Sequence, residues 1–197
     1  MDENNSVQDV PEKQSKRAGK TPFIETVYDW LDTFLVALVV VTLVFTFVFR
    51  QVQVEGDSMF DTLQNGDRLL INNIGYTPTA GDIVVVQADA IREDKPIIKR
   101  IIATAGQTVD IDFENWIVYV DGKALDESQY IDVISGAAML NQGGCTYPYV
   151  VGEDEVFVMG DNRNNSRDSR YCGAINEKYI LGKAFVRLFP FDSIGLI

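Results

Sequence analysis

The first pattern along the chain is a long apolar run near the N-terminus. No charged residue occurs from Thr33 to Phe49, a stretch of 17 residues, and counting from Trp30 extends the span to 20. As a helix, 20 residues cover about 30 Å, the thickness of the hydrocarbon core of a bilayer. A buried core helix would show a polar stripe, and a cleaved signal peptide would end in small residues, but this run has neither feature. It therefore predicts an uncleaved transmembrane helix within residues 23–49.

After this run the pattern changes to short apolar stretches separated by turn signals. Sequences such as Asn65-Gly66 and Asp121-Gly122 divide them, as turns between strands do. Long helical periodicity is absent, which predicts a mainly β domain. The predicted strands are Gln51–Val54, Arg68–Ile71, Ile83–Gln87, Pro96–Thr104, Val109–Phe113, Trp116–Val120, Val156–Met159 and Ala184–Leu188. We expect a core built from residues 50–106 and 154–197, with residues 107–153 as a smaller inserted β subdomain.

Basic residues flank the apolar run unevenly. Arg50 alone follows it closely, whereas four basic residues precede it: Lys13, Lys16, Arg17 and Lys20. The positive-inside rule then predicts a cytoplasmic N-terminus and an extracytoplasmic location for residues 51–197. The polar tail, residues 1–22, has the composition of a disordered segment.

The charge of the external part limits its partners. The whole chain carries a net charge of −12, and residues 50–197 hold 22 acidic and 13 basic residues, a net charge of −9. A domain this acidic is a poor ligand for nucleic acid. Cys145 and Cys172 are too few, without histidine, for a usual zinc site. They either form a disulfide, which persists outside the cytoplasm, or remain free thiols.

Ser58 lies in the turn-like sequence GDSMFDTLQNGD, directly after the first predicted strand. A serine hydroxyl is a weak nucleophile until a base removes its proton, and the usual base is histidine. The chain contains no histidine. If Ser58 is a nucleophile, another group, such as a lysine or a carboxylate, must activate it.

Lys99 is the candidate for that role. It stands in the run Ile97-Ile98-Lys99-Arg100-Ile101-Ile102, where Lys99 and Arg100 face opposite sides of a strand and both have apolar neighbours. An arginine stays protonated, whereas a lysine amine can lose its charge when buried. Lowering a lysine pKa from about 10.4 to about 8 requires roughly 3 kcal/mol, within the reach of desolvation. A structural strand lysine whose amine reaches solvent remains the alternative.

A polar loop follows the apolar run Val156–Met159. The sequence GDNRNNSRDSR, residues 160–170, offers hydrogen-bonding side chains that could orient an uncharged amine. A solvated turn with an Asp–Arg pair is the simpler interpretation. A calcium loop is a weaker one, because arginines interrupt the carboxylates.

Five segments occur together in a recognisable order: GDSMFDTL, GDRLLINN, GDIVVV, KRIIATAG and GDNRNNSRDSR. With the N-terminal apolar run, their order and spacing resemble those of the type I signal peptidases, the membrane-anchored Ser/Lys proteases of peptidase family S26. The resemblance covers about residues 24–190. It implies a signal-peptidase-like β catalytic core.

The resemblance also implies roles for single residues. Ser58 would be the nucleophile, Lys99 the general base, and Ser166 the residue that positions the Lys99 amine. Asp168 and Arg170 would support the site structurally. Further supporting positions are Gly56 and Met59 beside Ser58, and Gly160, Asp161 and Asn162 in the polar loop.

Three positions depart from the family pattern. Asp61 stands where the family usually has proline, and Ala103-Thr104-Ala105-Gly106-Gln107 replaces Gly-Leu-Pro-Gly-Asp. Gly56 occupies a position where some members have a serine that contributes to the oxyanion hole. These departures affect the expected geometry of the turn after Ser58 and of the region near Lys99.

The resemblance implies removal of signal peptides from secretory preproteins at the outer face of the cytoplasmic membrane, without cofactor or metal. Substrates would have small residues at positions −1 and −3. Self-cleaving repressor-type proteins share Ser/Lys chemistry, but the apolar run and the acidity disfavour that class. The other alternative is a catalytically impaired homologue that acts as a membrane-tethered β binding module.

Overall fold

The computed structural model describes residues 22–47, 49–60, 62–87, 95–131, 139–140 and 142–197. The chain divides into two compact units between Leu43 and Val44. Residues 1–21 of the predicted disordered tail lie outside the described residues, as does Asp61.

The N-terminal unit is dominated by one helix, α1, which spans Pro22–Phe47. Proline suits the first position of a helix because its missing N–H would have no partner there. The hydroxyls of Thr33 and Thr42 each donate to the carbonyl four residues earlier, at 2.8 Å, so these polar groups need no water. Residues Phe23–Val44 are long and apolar enough to cross a membrane, by length and composition.

The second unit contains twelve strands within the described residues. They are β1 (Arg50–Gln53), β2 (Arg68–Asn72), β3 (Ile83–Val86), β4 (Ile97–Thr104), β5 (Thr108–Asp112), β6 (Ile117–Val120), β7 (Lys123–Ala124), β8 (Tyr149–Val150), β9 (Glu155–Met159), β10 (Ile175–Asn176), β11 (Ile180–Phe189) and β12 (Gly195–Leu196). The described part of this unit also has one helical turn, α2 (Ser169–Cys172), and three short 3-10 segments: Arg163–Asn165, Glu177–Tyr179 and Phe191–Ser193.

The strands form two antiparallel sheets. The larger has the order β1-β2-β11-β3-β4-β9-β10, with β12 paired to β11, and the smaller has the order β7-β6-β5-β8. Strand β11 lies between β2 and β3 in the larger sheet, and its register shifts against both. Such irregularities bend a strand and let a sheet curl around its core. The smaller sheet falls within residues 107–153, where an insertion was predicted.

Lys99, the candidate base, lies on β4, an interior strand of the larger sheet. Its residues from Ile98 to Ala103 are all buried. Lys99 pairs in register with Val84, and Arg100 pairs with Ile83. Both faces of β4 are covered, which explains why apolar residues lie on either side of Lys99 and Arg100 instead of alternating with polar ones.

The mainly β prediction is confirmed. Seven of the eight predicted strands agree with the structure to within one residue at each end, but the last is too short, because β11 begins at Ile180 and not at Ala184. Four strands of two residues each were missed: β7, β8, β10 and β12. Two residues are too few to show periodicity. Pro22, placed in the tail by the sequence, is instead the first residue of α1.

Candidate active site

Ser58 is half-buried and lies in a tight turn between β1 and β2. Contacts of the residues before and after it fix the backbone of this turn. Before it, Gly56 has φ +83°, a value that favours glycine, and its N–H donates to Oδ1 of Asn65 at 3.0 Å. After it, Met59 is buried in a core cluster with Val54 and Leu63. The turn is therefore anchored in the core while Ser58 itself stays at its surface.

Lys99 reaches this turn from β4. The residue is only 2% exposed, and its Nζ lies 2.7 Å from Ser58 Oγ. The amine also donates to the carbonyl of Ile98 at 3.0 Å. The distance between Nζ and Oγ suits direct proton transfer between a nucleophile and its base. The structure therefore brings together the two residues that the motifs singled out.

Asp168 and Arg170 form the buried centre of the polar loop. Both side chains have 0% exposure, and two ion-pair contacts of 2.9 Å join them. Burial alone would raise the pKa of Asp168. Hydrogen bonds and charge from Arg170, with hydrogen bonds from the Ser166 hydroxyl and the Gly160 N–H, outweigh it and hold that pKa below its usual value. Asp168 is thus an ionised structural anchor.

Ser166 donates its hydroxyl proton to Oδ2 of Asp168 at 2.7 Å. A Cβ built on Gly160 would lie 2.3 Å from Ser166 Oγ and 2.5 Å from the Ser58 carbonyl oxygen. No side chain fits there, so glycine allows the Ser166 hydroxyl to approach the backbone of Ser58. The predicted role of Ser166 in orienting the Lys99 amine stays a prediction.

Asp161 and Asn162 join the polar loop to the segment around Ser58. The N–H of Asn162 donates to the Ser58 carbonyl at 3.0 Å, and its side-chain amide donates to the Asp57 carbonyl at 3.1 Å. Asp161 accepts two hydrogen bonds from Arg100, at 2.9 and 2.8 Å, and one from the Thr62 hydroxyl at 2.5 Å. These two residues therefore connect the polar loop to the Ser58 turn and to β4.

Three residues that hold the candidate active site together were not identified from the sequence: Thr62, Arg100 and Arg163. Arg100 was considered only as a rival of Lys99, yet its bidentate bond to Asp161 helps to join β4 to the polar loop. Arg163 is 1% exposed and pairs with Glu127 of the predicted insertion. A buried arginine requires a carboxylate partner, but the sequence alone does not say which acid supplies it.

The altered segment after β4 forms a regular turn. Gly106 has φ +80°, and the Gln107 side chain accepts the N–H of Thr104 at 2.9 Å. This turn closes although the family's proline is missing, and Lys99 still contacts Ser58.

Cys145 and Cys172 are free thiols in the structure. Their sulfur atoms donate to the carbonyls of Ser169 and Asp168, at 3.2 and 3.4 Å. Burial raises the pKa of both thiols, that of Cys172 to about 11.

In the part of the chain that the structure describes, no cluster of three or more His, Cys, Asp or Glu side chains could hold a metal ion.

Comparisons with known proteins identify the family of the chain. The profile of the family described as "Signal peptidase, peptidase S26" matches residues 27–189. Signal peptidase I P of Bacillus subtilis subsp. natto is 38% identical over 174 residues, which cover 85% of this chain and 92% of that protein. Probable signal peptidase I-1 of Synechocystis sp. is 40% identical over 82% of each chain. Signal peptidase IB of Staphylococcus aureus is 32% identical over 84% of this chain and 91% of its own length. The chain therefore belongs to the signal peptidase family, peptidase S26.

Proposed function

We propose that this chain is a serine endopeptidase that removes signal peptides from secretory preproteins with a Ser58–Lys99 dyad. The observation that carries the proposal is the 2.7 Å contact between Lys99 Nζ and Ser58 Oγ. It joins the Ser58 hydroxyl to a buried amine on β4. Membership of the signal peptidase family supports the choice of substrate.

The first half of the reaction forms an acyl-enzyme. Lys99, as the neutral amine, takes the Ser58 proton while Oγ attacks the scissile carbonyl carbon. The tetrahedral intermediate then collapses, the C–N bond breaks, and Lys99 returns the proton to the leaving amine. Burial of Lys99 favours this role, because desolvation disfavours the charged form of a lysine.

The second half releases the signal peptide. Lys99 removes a proton from a water molecule, which attacks the ester carbonyl, and Ser58 Oγ leaves with that proton. The oxyanion formed in each half needs backbone donors, because Gly56 supplies no hydroxyl. The Gly56 N–H is bound to Asn65, so we assign the Ser58 N–H to this task.

We place the catalytic unit at the outer face of the cytoplasmic membrane. Helix α1 has the length and composition of a single membrane span, and the basic residues before it favour a cytoplasmic N-terminus. The anchor would keep the site where translocated preproteins emerge. A signal peptide would bind in an extended conformation as an added strand, with the small residues at −1 and −3 entering shallow pockets.

A preprotein cleavage assay on the detergent-solubilised full chain tests the proposal. Ser58→Ala and Lys99→Ala should each abolish cleavage. The matched controls are Ser193→Ala and Lys95→Ala, since Ser193 and Lys95 are both exposed. If the wild type cleaves and either dyad variant keeps its rate, the dyad is wrong. A wild type that binds signal peptides without cleaving them would support the alternative, an impaired homologue that acts as a tethered binding module.

A further inference from the structure

One turn of the predicted insertion contacts two elements of the candidate active site. In this turn, residues 127–131, the N–H groups of Tyr130 and Ile131 both donate to the Glu127 carbonyl, at 3.1 and 2.9 Å. We call it the Glu127 turn. It presents the Glu127 carboxylate and the Tyr130 ring on the same side, because the Tyr130 hydroxyl donates to Glu127 Oε1 at 2.9 Å.

The Glu127 carboxylate binds the buried arginine of the polar loop. Both of its oxygens pair with the Arg163 guanidinium, one of them at 3.0 Å. The other groups of Arg163 hold the loop itself. Its Nε donates to the Gly160 carbonyl at 3.1 Å, and its own carbonyl accepts from Arg170 at 2.6 Å. Glu127 therefore neutralises Arg163, which is hydrogen-bonded to both ends of the loop, Gly160 and Arg170.

The Tyr130 ring covers the second arginine. The guanidinium carbon of Arg100 lies 3.9 Å from the ring centroid, within the range of a cation–π contact. Arg100 follows the candidate base Lys99 on β4 and binds Asp161 through two hydrogen bonds. A stacked ring restricts the rotamers of Arg100, and this in turn fixes Asp161.

We propose that Glu127 and Tyr130 are positioning residues through which the insertion aligns the polar loop with the Ser58–Lys99 dyad, an inference that rests on the proposed function. Gly160 links the two regions, because Arg163 binds its carbonyl, while a Cβ built on it would lie 2.3 Å from the Ser166 hydroxyl and 2.5 Å from the Ser58 carbonyl oxygen. Neither Glu127 nor Tyr130 acts on the substrate. Their loss changes the alignment of the reacting groups and not the affinity for the preprotein.

The test compares kcat and KM of full-length variants on one preprotein. Glu127→Gln keeps the shape of the side chain and removes its charge, and we expect kcat to fall about tenfold while KM stays within about twofold. Glu127→Asp, which restores the charge, should recover part of kcat. Glu114→Gln is the matched control, because Glu114 is an exposed glutamate of the same insertion. Tyr130→Leu leaves the Glu127–Arg163 pair in place and is the second arm.

Several outcomes overturn the inference. A folded Glu127→Gln variant with the kcat of the Glu114→Gln control refutes it, as does a loss of kcat that disappears at a lower temperature where the variant is fully folded. If Glu127→Gln does not fold, an unchanged kcat for Tyr130→Leu refutes it instead. A wild type without cleavage activity refutes the proposed function and this inference with it. An active wild type with unaffected variants refutes the inference alone.

Discussion

Asp168 and Arg170 form an ion pair from which solvent is excluded: Oδ1–Nε and Oδ2–Nη2 both measure 2.9 Å, and neither side chain is exposed. The pair also has neutral partners. Asp168 accepts from Ser166 and from the Gly160 N–H, and Arg170 donates to the carbonyl of Arg163. The polar loop is therefore built around a charge pair whose remaining hydrogen-bonding groups are largely satisfied.

Removing one member of this pair should destabilise the second unit, residues 44–197, strongly. Asp168→Asn leaves the buried Arg170 without a counter-charge, and we expect a loss of about 3–5 kcal/mol in the free energy of unfolding. Thermal and denaturant unfolding of the detergent-solubilised chain measure it. Asp192→Asn, at an exposed carboxylate, is the control. An equal stability of the two variants would contradict the structural role of the pair.

The same pair should make stability depend on pH at the acid end. The pKa of Asp168 is lower in the folded chain than in the unfolded one, so its contribution is complete above about pH 4 and is lost as the pH falls through the folded-state pKa. The difference in melting temperature between wild type and Asp168→Asn should therefore narrow below about pH 4. A constant difference from pH 7 to about pH 3 would show that Asp168 does not titrate in this way.

Gly160 should tolerate no side chain. In Gly160→Ala the new Cβ would lie 2.5 Å from the Ser58 carbonyl oxygen, a backbone atom that cannot move without displacing Ser58, the proposed nucleophile. We expect kcat to fall by about a hundredfold. Gly195→Ala is the control, because a Cβ there has no neighbour within 4 Å. Wild-type cleavage by Gly160→Ala would mean that the turn around Ser58 adapts freely.

Cys172 should react slowly with alkylating reagents at neutral pH. Although the residue is exposed, its sulfur faces the carbonyls of Asp168 and Gly173, and burial raises the pKa of the thiol to about 11. Since the thiolate is the reactive form, the alkylation rate of a Cys145→Ser variant should rise up to about pH 11. A plateau reached by about pH 10, as an ordinary thiol with a pKa of about 8.5 would give, would contradict the shift. In the wild type, alkylation that requires prior reduction would reveal a disulfide between Cys145 and Cys172.

The sequence and the structure agree most closely where local pattern decides the outcome. The apolar run became α1, and seven strands were placed correctly because each has an apolar core and turn signals at its ends. The motifs singled out Ser58 and Lys99, and the structure places their side chains 2.7 Å apart. Periodicity could not have separated Lys99 from Arg100, since β4 is buried on both faces and isoleucines flank both residues.

The long-range partners could not be predicted in the same way. Glu127 is one of several acids in residues 107–153, and 36 positions separate it from Arg163. Which carboxylate meets a buried arginine depends on how the two sheets pack, a property that no local pattern contains. The sequence predicted only a smaller β subdomain for residues 107–153, whereas in the structure Glu127 pairs with Arg163 and the Tyr130 ring covers Arg100.

The pH dependence of single-turnover cleavage, compared between the wild type and Lys99→Ala, shows whether Lys99 is the general base. If the neutral Lys99 amine is the base, the wild-type rate should rise with pH and then level off. Lys99→Ala should lose at least about a hundredfold of the plateau rate. A flat wild-type profile from pH 6 to about 10, or a Lys99→Ala variant that matches the wild-type rate, would contradict the account.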